Sequence, residues 1–174
     1  EGSIWDLTMC ADEIFDGVLC LGGPLSHLLE ERDRENAVME LKRVAKKGAP
    51  VFASVIGRIG VLKGIPLDYP QEMQHGKIYW ETGSYIPGIS GKGFTAAHWF
   101  LPEELEALFK RQGVEVLEMA GLEGLSSHHR RATNKLSKDK EKWNMWLDII
   151  LKTCTHLAVV GGSEHFLLVG RRAD

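Results

Sequence analysis

The chain has 174 residues, of which 44% are hydrophobic and 26% charged, which fits one globular domain and excludes a disordered or fibrous class. A net charge of −3 gives no general pull toward nucleic acid or anionic membrane, and no apolar run approaches the length of a membrane span. Three cysteines, Cys10, Cys20 and Cys154, show no C-x-x-C spacing; they argue against a disulfide framework or a zinc site and for a reducing, cytoplasmic setting.

No secretory signal opens the chain, and its first residue is Glu rather than Met, so we expect the gene's own start to lie upstream. Residues 1–9 mix polar and apolar positions and read as a strand end passing into a loop. The apolar run Val18-Leu19-Cys20-Leu21 then stops at Gly22-Gly23-Pro24, which predicts a strand buried on both faces. Glycine removes the side-chain barrier to a ligand, and ligands of open α/β sheets sit beyond the carboxyl ends of strands. The turn is therefore a candidate site wall; a plain tight turn is the alternative. From Arg34, apolar residues recur at Ala37, Val38, Leu41, Val44 and Ala45 with helical spacing, and Lys46-Lys47-Gly48 supplies a favourable end. Residues 51–56 form a second β-rich run. Strand, helix and strand make a right-handed crossover with a parallel pair.

Residues 57–97 hold eight glycines, three prolines and all three tyrosines (Tyr69, Tyr79, Tyr85), together with Trp80 and Phe94. A connection of this length without helical periodicity predicts a lid or binding loop, or else a surface excursion with its own aromatic cluster. Pro102-Glu103-Glu104-Leu105 opens a helix whose Leu105, Leu108 and Phe109 face inward, and Gly113 ends it. Residues 114–119 read as a strand. Ser137 is the expected cap of a further helix with Trp143, Leu147, Ile150 and Cys154 on one face. Gly161-Gly162 reads as a turn, and residues 165–169 as the last strand. The expected organisation is a single α/β unit over residues 1–174, with a lid-like insertion at 57–97 and a second, helical insertion at 122–160.

The Gly88-x-x-Gly91-x-Gly93 run lacks the following helix that a phosphate loop needs. Among seven histidines none forms a metalloprotease pair, and no metal is expected. His128-His129, beside Arg130-Arg131, reads as a solvated segment. His27 lies just beyond the Gly-Gly turn and His98 at the exit of the aromatic insertion. Each is a candidate proton carrier or a structural histidine. Residues 128–142 carry six Lys or Arg against two acids, either an RNA-facing patch or the wet face of a helix. No Gly-x-Ser-x-Gly elbow is present.

The order of these pieces resembles the C-terminal part of a class I S-adenosylmethionine-dependent methyltransferase of the small-molecule type. Gly2-Ser3-Ile4-Trp5-Asp6-Leu7 precedes Phe15-Asp16-Gly17-Val18-Leu19-Cys20, and the helix ends in Leu41-Lys42-Arg43-Val44-Ala45-Lys46-Lys47-Gly48. Leu101-Pro102-Glu103-Glu104-Leu105, Gly113-Val114 and His165-Phe166-Leu167-Leu168-Val169 complete the match. The resemblance implies a Rossmann-like methyltransferase sheet, mostly parallel with an antiparallel edge strand, here N-terminally truncated. It implies S-adenosylmethionine as cofactor, contacted by Ser3, Ile4 and Trp5 at the adenine and by Leu21, Gly22 and Gly23 near the methionine part. Ser3 replaces a common Asp, and Leu101 a common Ser or Thr cap. The family's first strand, glycine-rich loop and acidic second-strand end have no counterpart, so we expect the chain to be the C-terminal portion of a larger methyltransferase.

The implied function is methyl transfer to a small-molecule acceptor. Tyr79, Trp80 and Tyr85 are the expected substrate-binding residues, since ring faces attract apolar and cationic groups. His27 or His98 is the candidate base. The alternatives are an RNA methyltransferase using residues 128–142 and a non-catalytic α/β interaction module; no membrane partner is expected.

Overall fold

The computed structural model describes residues 3–86 and 95–173, so the Gly88-Gly91-Gly93 run and Phe94 lie outside the described residues. The first crossover forms as the apolar spacing dictates. Strand β1 (Val18–Cys20) leads to helix α1 (Glu31–Val44), which leads to strand β2 (Pro50–Ile56). β1 and β2 pair in parallel, with Val18 opposite Val51 and Cys20 opposite Ala53. Helix α1 buries Ala37, Val38, Leu41 and Val44 on one stripe, and Gly48 takes the left-handed φ of 72° beyond it. β1 departs from its expected burial. Val18 and Cys20 are buried, but Leu19 between them is 68% exposed, because among the described residues only one face of this strand is covered. Burial pushes the Cys20 thiol up to about 11, so it stays protonated and serves as a small core group.

Residues 57–97 differ most from the sequence reading. They fold into helix α2 (Arg58–Asp68), a 3₁₀ turn (Pro70–His75), helix α3 (Gly76–Thr82) and a short antiparallel pair, β3 (Ser84–Tyr85) with β4 (Ala97–His98). The glycines that hide the helical period are there for contact. A Cβ at Gly57 or Gly60 would stand 2.3 or 2.0 Å from the Ser163 carbonyl oxygen, and one at Gly64 2.3 Å from the His128 ring. Helix α2 thus lies directly on the backbone that leads into the last strand, an approach only glycine permits.

Helix α4 (Pro102–Arg111) buries Leu105, Leu108 and Phe109 and leads into strand β5 (Val114–Gly121). A 3₁₀ turn (Gly124–Ser126), α5 (Arg130–Leu136), α6 (Lys140–Thr153) and α7 (Leu157–Gly162) then precede strand β6 (His165–Arg172). Ser137 closes α5 instead of capping α6. The cap of α6 is Asp139, whose carboxylate accepts from the Lys142 amide at 3.2 Å. Gly161-Gly162 ends α7 and is not a separate turn. His128 is packed, not solvated: its Nε2 donates to the Gly60 carbonyl at 2.6 Å, and Nδ1 lies 3.6 Å from Glu164.

The sheet order is β1-β2-β6-β5, with β6 antiparallel to both neighbours and one place in from the β5 edge. Val55, Phe166, Leu168, Phe100, Leu105 and Phe109 form the centre of the core between this sheet and helices α1 and α4.

One ion pair makes the start of β6 sensitive to pH. The His165 Nδ1 donates to Glu123 at 2.7 Å, which raises the imidazole from its ordinary 6.5 despite partial burial. Burial pushes Glu123 up, but the bonds from His165 outweigh it and hold the carboxyl below 4.5. A raised histidine contributes stability below its unfolded value and loses it as pH climbs through the folded value. The thermal midpoint is therefore expected to fall as pH climbs above the ordinary imidazole value of 6.5, and to fall less in Glu123→Gln. Parallel curves for the two proteins would remove the pair as the cause.

Candidate functional site

The Gly-Gly-Pro turn is built for close approach. Gly22 and Gly23 have φ of 85° and 79°, a region that strains other residues. Two serines stitch the turn to β2: the Gly22 amide donates to Ser54 Oγ at 2.9 Å, and the Ile56 amide to Ser26 Oγ at 2.9 Å. A Cβ on Gly22 would meet nothing within 4 Å, so the backbone is open on that side, with Leu21 exposed beside it.

The 3₁₀ turn Pro24–His27 carries His27 past the end of β1. Its Nδ1 lies 3.1 Å from the Ala96 carbonyl oxygen. A carbonyl only accepts, so Nδ1 carries the hydrogen and Nε2 of the neutral ring keeps its lone pair.

His27 and Ile56, the last residue of β2, form one side of a cavity of about 530 Å³. Described residues between Val61 and Trp99 form the rest: Tyr79, Tyr85 and Trp99 as an aromatic wall, with Tyr69 and Glu72. Tyr79 meets Trp99 edge to face at 5.0 Å between centroids, and Tyr85 lies nearly parallel to Trp99 at 5.8 Å. The Tyr79 hydroxyl donates to Glu72, whose side chain is buried.

The structure therefore brings together His27, Tyr79 and Tyr85 from the expected set. It does not bring in Trp80, which is half exposed, its carbonyl accepting from Arg58 at 3.3 Å. Nor does His98 line the cavity. Ala97 and Trp99 do, and strand alternation turns the side chain between them the other way. There the His98 Nε2 donates to Glu104, while Nδ1 is buried without a partner among the described residues. Burial pushes Glu104 up, but the bond from His98 and the charge of Arg58 hold its carboxyl below the ordinary 4.5.

Ser3, Ile4 and Trp5 also lie outside the cavity lining. Their segment is strapped to α1: Glu40 accepts from the Leu7 amide at 2.7 Å, and Arg43 donates to the carbonyls of Leu7 and Cys10. Ile4 packs on the core, Ser3 is half-buried, and Trp5 is exposed.

The site residues that sequence reasoning missed are Glu72 and Trp99. Trp99 had a usable signal, since it lies two residues beyond Ala97 and so shares its face. Glu72 had none. The basic 128–142 segment forms α5, with no buried residue, and the start of α6. Arg130 and Arg131 share a second hollow with Asp68, Glu123 and Glu164, so its charge is mixed. Among the described residues no group of three or more His, Cys, Asp and Glu could hold a metal, and no helix is long and apolar enough to cross a membrane.

The mixed sheet in this order, with its open turn after β1, is similar in fold to solved S-adenosylmethionine-dependent methyltransferases. An S-adenosylmethionine-dependent methyltransferase from Methanosarcina mazei is 17% identical, covers 99% of this chain with 65% of its own, and superposes with a TM-score of 0.61. One from Thermotoga maritima, a possible histamine N-methyltransferase, gives 18% identity, 98% and 61% coverage and a TM-score of 0.54. The 1,6-didemethyltoxoflavin-N1-methyltransferase from Burkholderia thailandensis, with 1,6-didemethyltoxoflavin and S-adenosylhomocysteine bound, gives 12%, 98%, 48% and 0.51. This chain thus spans between 48% and 65% of the length of these structures. No family model and no curated protein sequence matches it.

Proposed function

We propose that this chain forms the acceptor side of an S-adenosylmethionine-dependent methyltransferase acting on a small molecule. The observation that carries the reading is the aromatic cavity, which opens beside the carboxyl ends of β1 and β2 with His27 on its wall. Strand ends of this kind are where ligands of open α/β sheets bind. The three neighbours are methyltransferases by their descriptions, and one holds a small heteroaromatic substrate with the demethylated cofactor.

The turn suits the cofactor's methionine part, because Gly22 leaves its backbone open and Leu21 lies exposed beside it. Ser3 and Ile4 would border the adenine, with the Ser3 hydroxyl as hydrogen-bond partner. When bound, S-adenosylmethionine supplies a methyl group on a positively charged sulfur. The residues of this chain supply position. The aromatic wall and Ile56 exclude water and orient the acceptor, an effect worth about 7–11 kcal/mol in well-aligned systems. As the acceptor heteroatom takes the methyl group, its proton passes to the lone pair on His27 Nε2. The described part of residues 57–97 acts as the cover of this cavity. Among the described residues β1 has no neighbour on its outer edge, and Leu19 and Leu21 lie exposed there.

Calorimetric titration of the full-length gene product with S-adenosylhomocysteine tests the reading. Saturable binding is expected, weakened about ten-fold or more in Gly22→Val, since a β-branched residue is strained at positive φ. Absence of binding to the full-length protein would overturn the proposal.

A further inference from the structure

Glu72 gives the cavity a charge preference that its aromatic rings alone do not decide. The residue is 7% exposed, lines the cavity, and accepts a hydrogen bond from the Tyr79 hydroxyl. No Lys, Arg or His of the described residues lies within ion-pair distance of it, whereas Glu104, Glu123 and Glu164 each have a basic partner. A buried carboxylate without a cation is costly, and a ligand that brings one removes the cost. The same cavity presents Tyr79, Tyr85 and Trp99, whose ring faces attract cations, and the tryptophan does so most strongly. A carboxylate beside an aromatic wall in one cavity is the chemistry that recognises an organic ammonium group.

We propose that the cavity binds an organic cation, an amine-bearing small molecule with an apolar body, its ammonium pole held by Glu72 and its body lying against Tyr79, Tyr85 and Trp99. The inference rests on the reading of this cavity as the acceptor site, and it narrows the acceptor to molecules that carry an ammonium group apart from the neutral atom that takes the methyl group. A neutral molecule of the same shape would leave the carboxylate uncompensated and bind less well. An anionic one would be repelled by Glu72.

The test needs no cofactor and no turnover. 2-Phenylethylamine and 2-phenylethanol have nearly the same shape and differ in charge at neutral pH. Titrated calorimetrically into the full chain, the amine is expected to bind roughly ten-fold or more tightly than the alcohol, the gain typical of one charge-assisted contact. Glu72→Gln should remove most of that difference, and Tyr85→Leu should weaken the amine more than the alcohol. Melting curves of both variants report whether they fold. The wild-type comparison stands even where a variant does not. Equal affinities for the two probes, or binding of neither, would overturn the proposal. Because methyl transfer is not measured, the two readings fail separately: selective amine binding survives a failed methyltransferase assay, and methylation of neutral acceptors alone would sink only the amine preference.

Discussion

Arg58→Ala is expected to lower the folding free energy by about 3 kcal/mol, the low end of the cost of breaking a buried ion pair. Arg58 is the first residue of α2, and its side chain is 9% exposed. Its Nη2 meets Glu104 at 2.8 Å, its Nε donates to the Trp99 carbonyl at 3.0 Å, and its Nη1 donates to the Trp80 carbonyl at 3.3 Å. One guanidinium therefore ties helix α3 and the segment after β4 to helix α4. Removing it strands two carbonyls and leaves Glu104 with His98 and a long bond from the Leu101 amide. The cost stays at the low end because a third of the Glu104 side chain is open to water. Urea denaturation should show a lower midpoint with an unchanged slope. Arg58→Lys should recover little, since an ammonium cannot serve three acceptors in the planar fork. A loss below about 1 kcal/mol, the range of an exposed pair, would mean the network holds nothing together. The same substitution should loosen the aromatic wall, because Trp99 loses its anchor.

His27→Ala is expected to lower turnover about 100-fold at saturating cofactor, with S-adenosylhomocysteine affinity unchanged, if the acceptor arrives protonated. The basis is geometric. His27 is the histidine that lines the cavity, and the Ala96 carbonyl fixes its hydrogen on Nδ1. His98→Ala should behave differently. It removes one of the partners of a half-buried Glu104, so it should lower the melting temperature and leave the turnover of the folded fraction close to wild type. Turnover lost in His98→Ala but kept in His27→Ala would reverse the assignment.

The contrast between these two histidines shows where sequence reading runs out. Both stand near glycine-rich or aromatic segments, and nothing in their spacing separates them. The separation comes from a two-residue strand: at β4 the chain alternates, so Ala97 and Trp99 take the cavity and His98 takes the core. Trp80 and Trp99 were exchanged for a related reason. Composition places aromatic residues in a segment but does not say which way each ring points. The helices of residues 57–97 were hidden because their glycines answer to Ser163 and His128, partners about a hundred and about sixty residues away in the chain.

What the sequence determined by itself is the local and periodic part of this protein. The crossover of β1, α1 and β2, the inward face of α4 and the Gly22-Gly23 turn follow from apolar spacing and from glycine's freedom at positive φ. Those properties act between near neighbours. Tertiary structure alone decided that β6 inserts antiparallel between β2 and β5, that Ser26 and Ser54 pin the turn, and that Glu72 meets the aromatic wall. These depend on contacts between residues far apart in the chain, whose partners no local pattern names. The fold's outline was legible because hydrophobic period is written along the chain; the site was only half legible because chemistry depends on which side chains meet.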